Sequence, residues 1–254
     1  MVLAVDIENS VITLGGFRAD ELVFTASVTA DTDKTSDEYA ALIRSVLSLR
    51  GVLQEDIEGA IIASVVPVLT SVIKNSIELI YGIRALTVSP GIKTGISIHC
   101  DTPSSVGADL ICASVGAKEL YGSPALIVDM GIATKIIYVD SKGTFSGVSI
   151  MPGVPIGSKG LYEMTAQLPQ VSLDAPPSVI GKNTADSMRS GLIFGHAGAV
   201  DGMIKRIWES VGEQLPVIAT GEYAPLIAPH CSTEMKHDEN LVLRGLNRIY
   251  AKNC

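Results

Sequence analysis

Three aspartates stand where this chain could handle phosphate. Asp129 follows the apolar run Ala125–Val128 and precedes Gly131 and the small pair Ala133-Thr134. A second apolar run, Ile136–Val139, a turn at Asp140–Gly143 and a third run to Met151 complete a strand-turn-strand pattern. Such a turn can offer backbone N–H groups and a hydroxyl to an anion. Asp129 beside it can hold a cation, directly or through water. Asp6 has the same setting in VLAVDIENSVITLGG, and aligning the two aspartates pairs Ile7-Glu8-Asn9-Ser10 with Met130-Gly131-Ile132-Ala133. One such turn is as readily a plain hairpin cap. Two of them suggest an internal duplication, with two similar α/β halves facing each other across a cleft and their turns suited to a nucleotide's phosphates. The third aspartate, Asp109, ends the irregular stretch TGISIHCDTPSSVGAD. It falls in the first turn of a helix running from about Gly107 to Tyr121, where its charge favours the helix dipole. A carboxylate there is either a helix-start residue or a catalytic base aimed by a rigid helix.

The elements that must position these groups follow in order. Ser36, Asp37 and Glu38 start a helix whose apolar face is Ala41, Leu42, Val46 and Leu47, and Gly51 ends it. Gly59–Val65 reads as a strand, Pro67 opens a helix that ends at Gly82, and Ala85–Val88 reads as a short strand. That β-α-β-α-β order fits a parallel α/β half. Beyond the central hairpin, Ile156–Ala166 reads as a helix weakened by Gly157 and Gly160. Leu168–Gly181 is a Pro-containing loop. Asn183-Thr184 cap a long helix over Ala185–Val211, along which Gly191, Gly195, Gly198 and Gly202 recur on one face. A glycine face admits close backbone approach, either by another helix of the chain or by its copy across a two-fold. Val217–Thr220 is a strand ending in Thr220-Gly221, and Asn240–Asn253 is an amphipathic helix through Leu241, Leu243, Leu246 and Ile249.

Composition narrows the class. At 254 residues the chain suits one large or two medium domains. With 27 Asp and Glu against 19 Lys and Arg, generic nucleic-acid binding is disfavoured. Cys100, Cys112, Cys231 and Cys254 lack metal-ligand spacing and read as reduced thiols, and the four histidines form no zinc motif. The apolar stretch Ala60–Ile73 is interrupted by Pro67 and is too short to span a bilayer. The expectation is a soluble cytoplasmic protein with no membrane partner.

The motifs in order are Asp6–Ser10, Thr102-Pro103 through Gly107-Ala108-Asp109, Asp129–Thr134, Gly147 through Pro152-Gly153, Leu168-Pro169, Gly181–Thr184 and Thr220-Gly221. With them the chain resembles the type III pantothenate kinases, of the actin/hexokinase/Hsp70-like superfamily, over essentially its whole length. The resemblance implies an α/β fold of two ribonuclease-H-like halves, 1–115 and 116–254, around a central cleft. It implies ATP-dependent phosphorylation of pantothenate, with Mg2+ accompanying ATP and a monovalent cation, K+ or NH4+. It also implies a homodimer or a heteromer with a related kinase subunit. By the same resemblance Asp6 and Asp129 would serve the metals, and Asp6, Asn9, Ser10, Gly131 and Thr134 the ATP phosphates. Asp109 would be the catalytic base, Gly107 and Ala108 would line the pantothenate pocket beside it, and Thr184 would reach pantothenate from the neighbouring subunit.

Departures from the family pattern matter as much. The family's Asp-x-Gly-Asn-Thr has Glu8 for the glycine and Ser10 for the threonine. A carboxylate there brings bulk and like charge towards phosphate oxygens. Gly-Ala-Asp-Arg has Leu110 for the arginine, which removes a bidentate grip on substrate. Asp-x-Gly-Thr-Ala-Thr-Thr has Ile132 and Lys135, and Val148 and Glu222 stand at further positions usually held by glycine. Gly181-Lys182-Asn183-Thr184, which acts across the subunit interface in the family, is intact. Three functions stay open: a kinase subunit with an impaired site that completes a partner's, a self-sufficient homodimer, and a non-catalytic regulatory homologue.

Overall fold

A computed structural model describes residues 1–254. The chain divides into two compact units, Met1–Tyr121 with Asn240–Cys254, and Gly122–Glu239. The first unit begins with strands β1 (Val2–Ile7), β2 (Val11–Arg18) and β3 (Glu21–Thr29), each antiparallel to the next. Helix α1 (Ser36–Ser48) leads to β4 (Gly59–Ser64), and α2 (Pro67–Tyr81) leads to β5 (Leu86–Thr87). The short β6 (Ser97–Ile98) precedes α3 (Ala108–Tyr121). The strand order β3-β2-β1-β4-β5 is antiparallel on one side of β1 and parallel on the other. Local chemistry accounts for the helix limits. Thr35 and Glu38 form a reciprocal capping box at α1, Pro67 occupies the first turn of α2, and Gly82 ends α2 in the left-handed conformation at φ 68°.

The second unit repeats this plan. Strands β7 (Ala125–Met130), β8 (Ala133–Val139) and β9 (Thr144–Pro152) form an antiparallel meander. They are followed by α4 (Val154–Met164), α5 (Thr184–Ser190), a π-helical turn at Gly191–Gly195 and α6 (His196–Val211). Then come β10 (Val217–Thr220), α7 (Ala224–Ile227), β11 (Lys236–His237) and α8 (Leu241–Ala251), the last returning to the first unit. Within the second unit the order β9-β8-β7-β10-β11 matches β3-β2-β1-β4-β5 strand for strand, with the same antiparallel-to-parallel change at the middle strand. The duplication expected from the paired aspartates is therefore a duplication of topology. Each unit has its own apolar core, around Leu3, Leu14, Ile43 and Ile73 in one and Leu126, Ile193, Val200 and Ala219 in the other.

Three boundaries differ from the sequence reading. The expected division at 115/116 falls inside α3, whose interior is continuous, and the chain passes to the second unit after Tyr121. Asn240–Cys254 belongs to the first unit rather than the second, because α8 packs against α3 glycine to glycine. A Cβ on Gly116 would stand 2.5 Å from the Leu241 carbonyl oxygen, and one on Gly245 would stand 2.7 Å from the Cys112 carbonyl carbon. Further along α8, Asn247 donates to the Ala19 carbonyl at 2.8 Å and Arg248 pairs with Asp20 at 2.6 Å. The long helix expected over Ala185–Val211 is α5 and α6 joined through the π turn. No helix is long and apolar enough to cross a membrane.

Candidate active site

Asp6 is the penultimate residue of β1 and Asp129 the penultimate residue of β7, the same place in the repeated topology. Both carboxylates are buried, at 6 % and 4 % exposure, which only compensating groups make tolerable. Their cross-strand neighbours differ. Asp6 lies opposite Thr13 and beside Ala63, whereas Asp129 lies opposite Lys135 and beside Thr220.

In the first unit, the turn after β1 closes with Glu8 N–H donating to the Val11 carbonyl at 2.9 Å. Asn9 and Ser10 are exposed at its tip, and Ser10 also edges a cavity of about 430 Å³ with Thr29, Lys34 and Leu42. Gly107 and Ala108 lead into α3, and Asp109 in its first turn is 5 % exposed. The Asp109 carboxylate folds back over Gly107, in the space a Cβ there would need. Cys112, one turn further along α3 and fully buried, reports on the surroundings. Burial raises its thiol pKa well above the ordinary value, and the negative charges of Asp6 and Asp109 raise it further. The fold thus brings Asp6 and Asp109, 103 positions apart in the chain, within electrostatic reach of one thiol. Leu110, standing where the resemblance leads one to expect an arginine, is 6 % exposed and contributes to the buried face of α3.

In the second unit, Met130 faces Thr134, so Gly131–Ala133 form the tip of the β7–β8 hairpin. Two glycines hold this tip against its neighbours. Gly153 donates its N–H to the Ile132 carbonyl at 3.1 Å, and a Cβ on it would stand 2.5 Å from the Gly131 carbonyl oxygen. Gly221, at φ 93°, lies against the end of β7, where a Cβ would stand 2.6 Å from Asp129 Oδ1. Lys135 Nζ donates to Asp129 Oδ2 at 2.7 Å, with the two side chains 16 % and 5 % exposed. The Thr134 hydroxyl is only 1 % exposed and lies 2.9 Å from His196 Nε2. It is therefore engaged inside the unit rather than presented as an open hydroxyl. Burial lowers the pKa of His196, so its ring is neutral at pH 7.

Thr184 is exposed at the start of α5. Asn183 alone is the N-cap: its side-chain oxygen accepts from Asp186 N–H at 2.9 Å. Sequence reasoning missed His196, since nothing local marks a histidine 62 residues from its partner threonine. It named Lys135 as a departure without pairing it with Asp129, although the register of β7 and β8 places the two residues opposite each other.

The two aspartates answer differently as metal ligands. Asp6 has a threonine and an alanine as its register partners, and a carboxylate is a ligand type that divalent cations take. Asp129 already has an ammonium on Oδ2.

Comparison with known proteins identifies the family. A family model for the type III pantothenate kinases matches residues 2–206. A type III pantothenate kinase of Citrifermentans bemidjiense is 42 % identical over 253 residues, covering 100 % of both chains. One of Exiguobacterium is 40 % identical over 253 residues, covering 100 % of this chain and 99 % of its own. Among solved structures, a Campylobacter jejuni protein named for the Baf family of transcriptional activators aligns over 99 % of this chain and 98 % of its own. Its TM-score is 0.62 at 18 % identity. The ROK hexokinase of Thermus thermophilus aligns over 99 % and 98 %, with a TM-score of 0.53 at 11 % identity. At those identities the likeness is one of fold, the two-domain actin-like ATPase fold. Full-length identity near 40 % and the matched family model together place the chain in the type III pantothenate kinase family.

Proposed function

We propose that this protein phosphorylates pantothenate with ATP, giving 4'-phosphopantothenate, the first step towards coenzyme A. The observation that carries this is the pair of buried carboxylates, Asp6 and Asp109, drawn to one locality of the first unit within a chain of this family. Asp109 accepts the proton of the pantothenate primary hydroxyl as that oxygen forms its bond to the γ-phosphorus. The bond from that phosphorus to the bridging oxygen breaks, and its electron pair leaves with ADP. Gly107 and Ala108 line the pantothenate pocket beside the base. Asn9, Ser10, Gly131 and Thr134 are the phosphate-turn residues that the family resemblance assigns. Asp6 would hold Mg2+ brought with ATP, which when bound would supply charge neutralisation at the phosphates.

The assembly is part of the proposal. Gly191, Gly195 and Gly198 are exposed, and a Cβ on any of them would meet nothing within 4 Å. No helix of the same chain uses that face, which favours a homologous subunit over the intrachain reading. Thr184, free of capping duty, is available to complete a partner's pantothenate pocket from its exposed position. The chain's own site carries Glu8 at the first turn and a buried Leu110 in place of a substrate-gripping arginine. We therefore take the protein as a subunit, cytoplasmic, with an impaired site of its own that completes the site of a related kinase subunit. A self-sufficient homodimer is the second reading, favoured by the ion pair that accommodates Lys135.

The test is phosphorylation of pantothenate by the purified chain, alone and mixed with an intact family member. The subunit reading expects turnover far below the usual kinase range of about 1–100 per second from the chain alone. It expects normal turnover from the mixture. Ordinary turnover by the chain alone, lost in Asp109→Asn, establishes the homodimer. A chain that binds no pantothenate in either preparation is a regulatory homologue and refutes the proposal.

A further inference from the structure

We infer that the positive charge at Asp129 is supplied by the chain itself: the Lys135 ammonium fills the place beside that carboxylate, and no metal ion is recruited there. Three observations carry this. Asp129 and Lys135 are direct cross-strand partners on β7 and β8, so the pairing is built into the hairpin register. The contact is short, 2.7 Å from Nζ to Oδ2, and both side chains are withdrawn from solvent. The other carboxylate oxygen is equally hemmed in: Oδ1 lies against Gly221, with the Gly131 turn nearby. A small cation could reach Asp129 only by displacing an ammonium tethered to the adjacent strand, whose effective concentration far exceeds that of any free ion. The topologically equivalent carboxylate, Asp6, has Thr13 and Ala63 as its register partners, where Asp129 has Lys135 and Thr220. The duplication has thus diverged at this position, with a lysine opposite Asp129 and a threonine opposite Asp6. K+ or NH4+, implied by the family resemblance, does not fit at Asp129.

At the nucleotide, Lys135 neutralises Asp129 so that phosphate oxygens approach the Gly131 turn without facing a bare carboxylate. This second part rests on the kinase reading. The first part does not.

Two measurements separate them. Crystals of the wild-type protein are soaked with thallium(I) as the monovalent probe and with Mn2+ as the divalent one, and the ions are located by anomalous scattering. No peak should touch the Asp129 carboxylate in the wild type, whereas Lys135→Thr should acquire one. A wild-type peak on Asp129 overturns the inference whatever the protein's activity. So does a well-folded Lys135→Thr protein that stays without an ion, and Lys135→Arg, which keeps the charge, should behave as wild type. Calorimetry of Mg-ADP binding then compares potassium chloride with choline chloride at equal ionic strength. Wild-type affinity should be unchanged, while Lys135→Thr should lose about 10-fold in choline and recover in potassium. A wild type that needs potassium, or a Lys135→Thr variant indifferent to the salt, refutes the charge's part in nucleotide binding. A wild type that binds no Mg-ADP in either salt counts against the kinase reading and leaves the result of the ion experiment standing.

Discussion

Replacing Gly245 with alanine should weaken the first unit where α8 meets α3. In most helices this substitution stabilises, because alanine has the better helix propensity by about 1 kcal/mol. Here the new methyl would lie 2.7 Å from the Cys112 carbonyl carbon and 3.1 Å from the Gly116 nitrogen, and closer still to the Cys112 oxygen. These are backbone atoms of α3, so no side-chain rotation relieves the overlap, and the helices must separate. Overpacking of a close-packed interior costs about 1–3 kcal/mol, and backbone obstruction puts this case at the upper end. After the propensity gain, a net loss of about 2 kcal/mol remains, or a fall in melting temperature of roughly 6 °C at this size. The assay is a thermal melt of wild type, Gly245→Ala and a control, Gly160→Ala. Gly160 lies within α4, where a Cβ meets nothing within 4 Å, so the same change should raise stability by about 0.5–1 kcal/mol. Because α3 carries Asp109 and Cys112, displacing it should also lower the turnover of any complex that depends on this chain's Asp109. If Gly245→Ala melts within about 1 °C of wild type, the glycine-to-glycine account of how α8 joins the first unit is wrong.

Asn183→Ala should lower stability by about 1 kcal/mol through loss of the α5 cap, while Thr184→Ala leaves the melt unchanged and weakens pantothenate binding in a mixed complex. The reverse pattern, seen by calorimetry and melting, would remove Thr184 from the composite site. Gly195→Leu and Gly198→Leu should dissociate the assembly by filling the open glycine face, and a wild-type mass in light scattering would show that this face is not the interface. His196 gives a pH signature. Burial lowers its folded-state pKa below 6.5, so the unfolded chain takes up the proton preferentially, and stability held above pH 6.5 is lost as the pH falls through the folded value. Melts between about pH 7.5 and 5.5 should therefore show a larger drop for wild type than for His196→Gln, and equal drops would mean that the ring is not buried in its neutral form.

Much of this protein was legible in one dimension because much of it is decided locally. Apolar runs ending in Asp6 and Asp129, the capped start of α1, Pro67 at α2 and the carboxylate in the first turn of α3 all lie within a few residues of their causes. The repeated hairpins even announced the repeated strand order. What the chain could not disclose depends on partners distant in sequence or on register. The length of the β7–β8 turn decides whether Lys135 faces Asp129 or a neighbour, since a slip of one residue would turn its side chain to the other face of the sheet. Thr134 meets His196 only because α6 packs on that sheet, and that contact turns an apparent phosphate hydroxyl into an internal one. Asn240–Cys254 reads as a terminal helix of the second half, yet the clearance at Gly116 and Gly245 admits it to the first. The glycines of α6 and its preceding turn were visible as a stripe, but only the folded chain shows that three of them face open space. Sequence determined the elements and the identity of the chemical groups. Packing decided which groups meet, because burial and steric fit are properties of surfaces brought together and not of either surface alone.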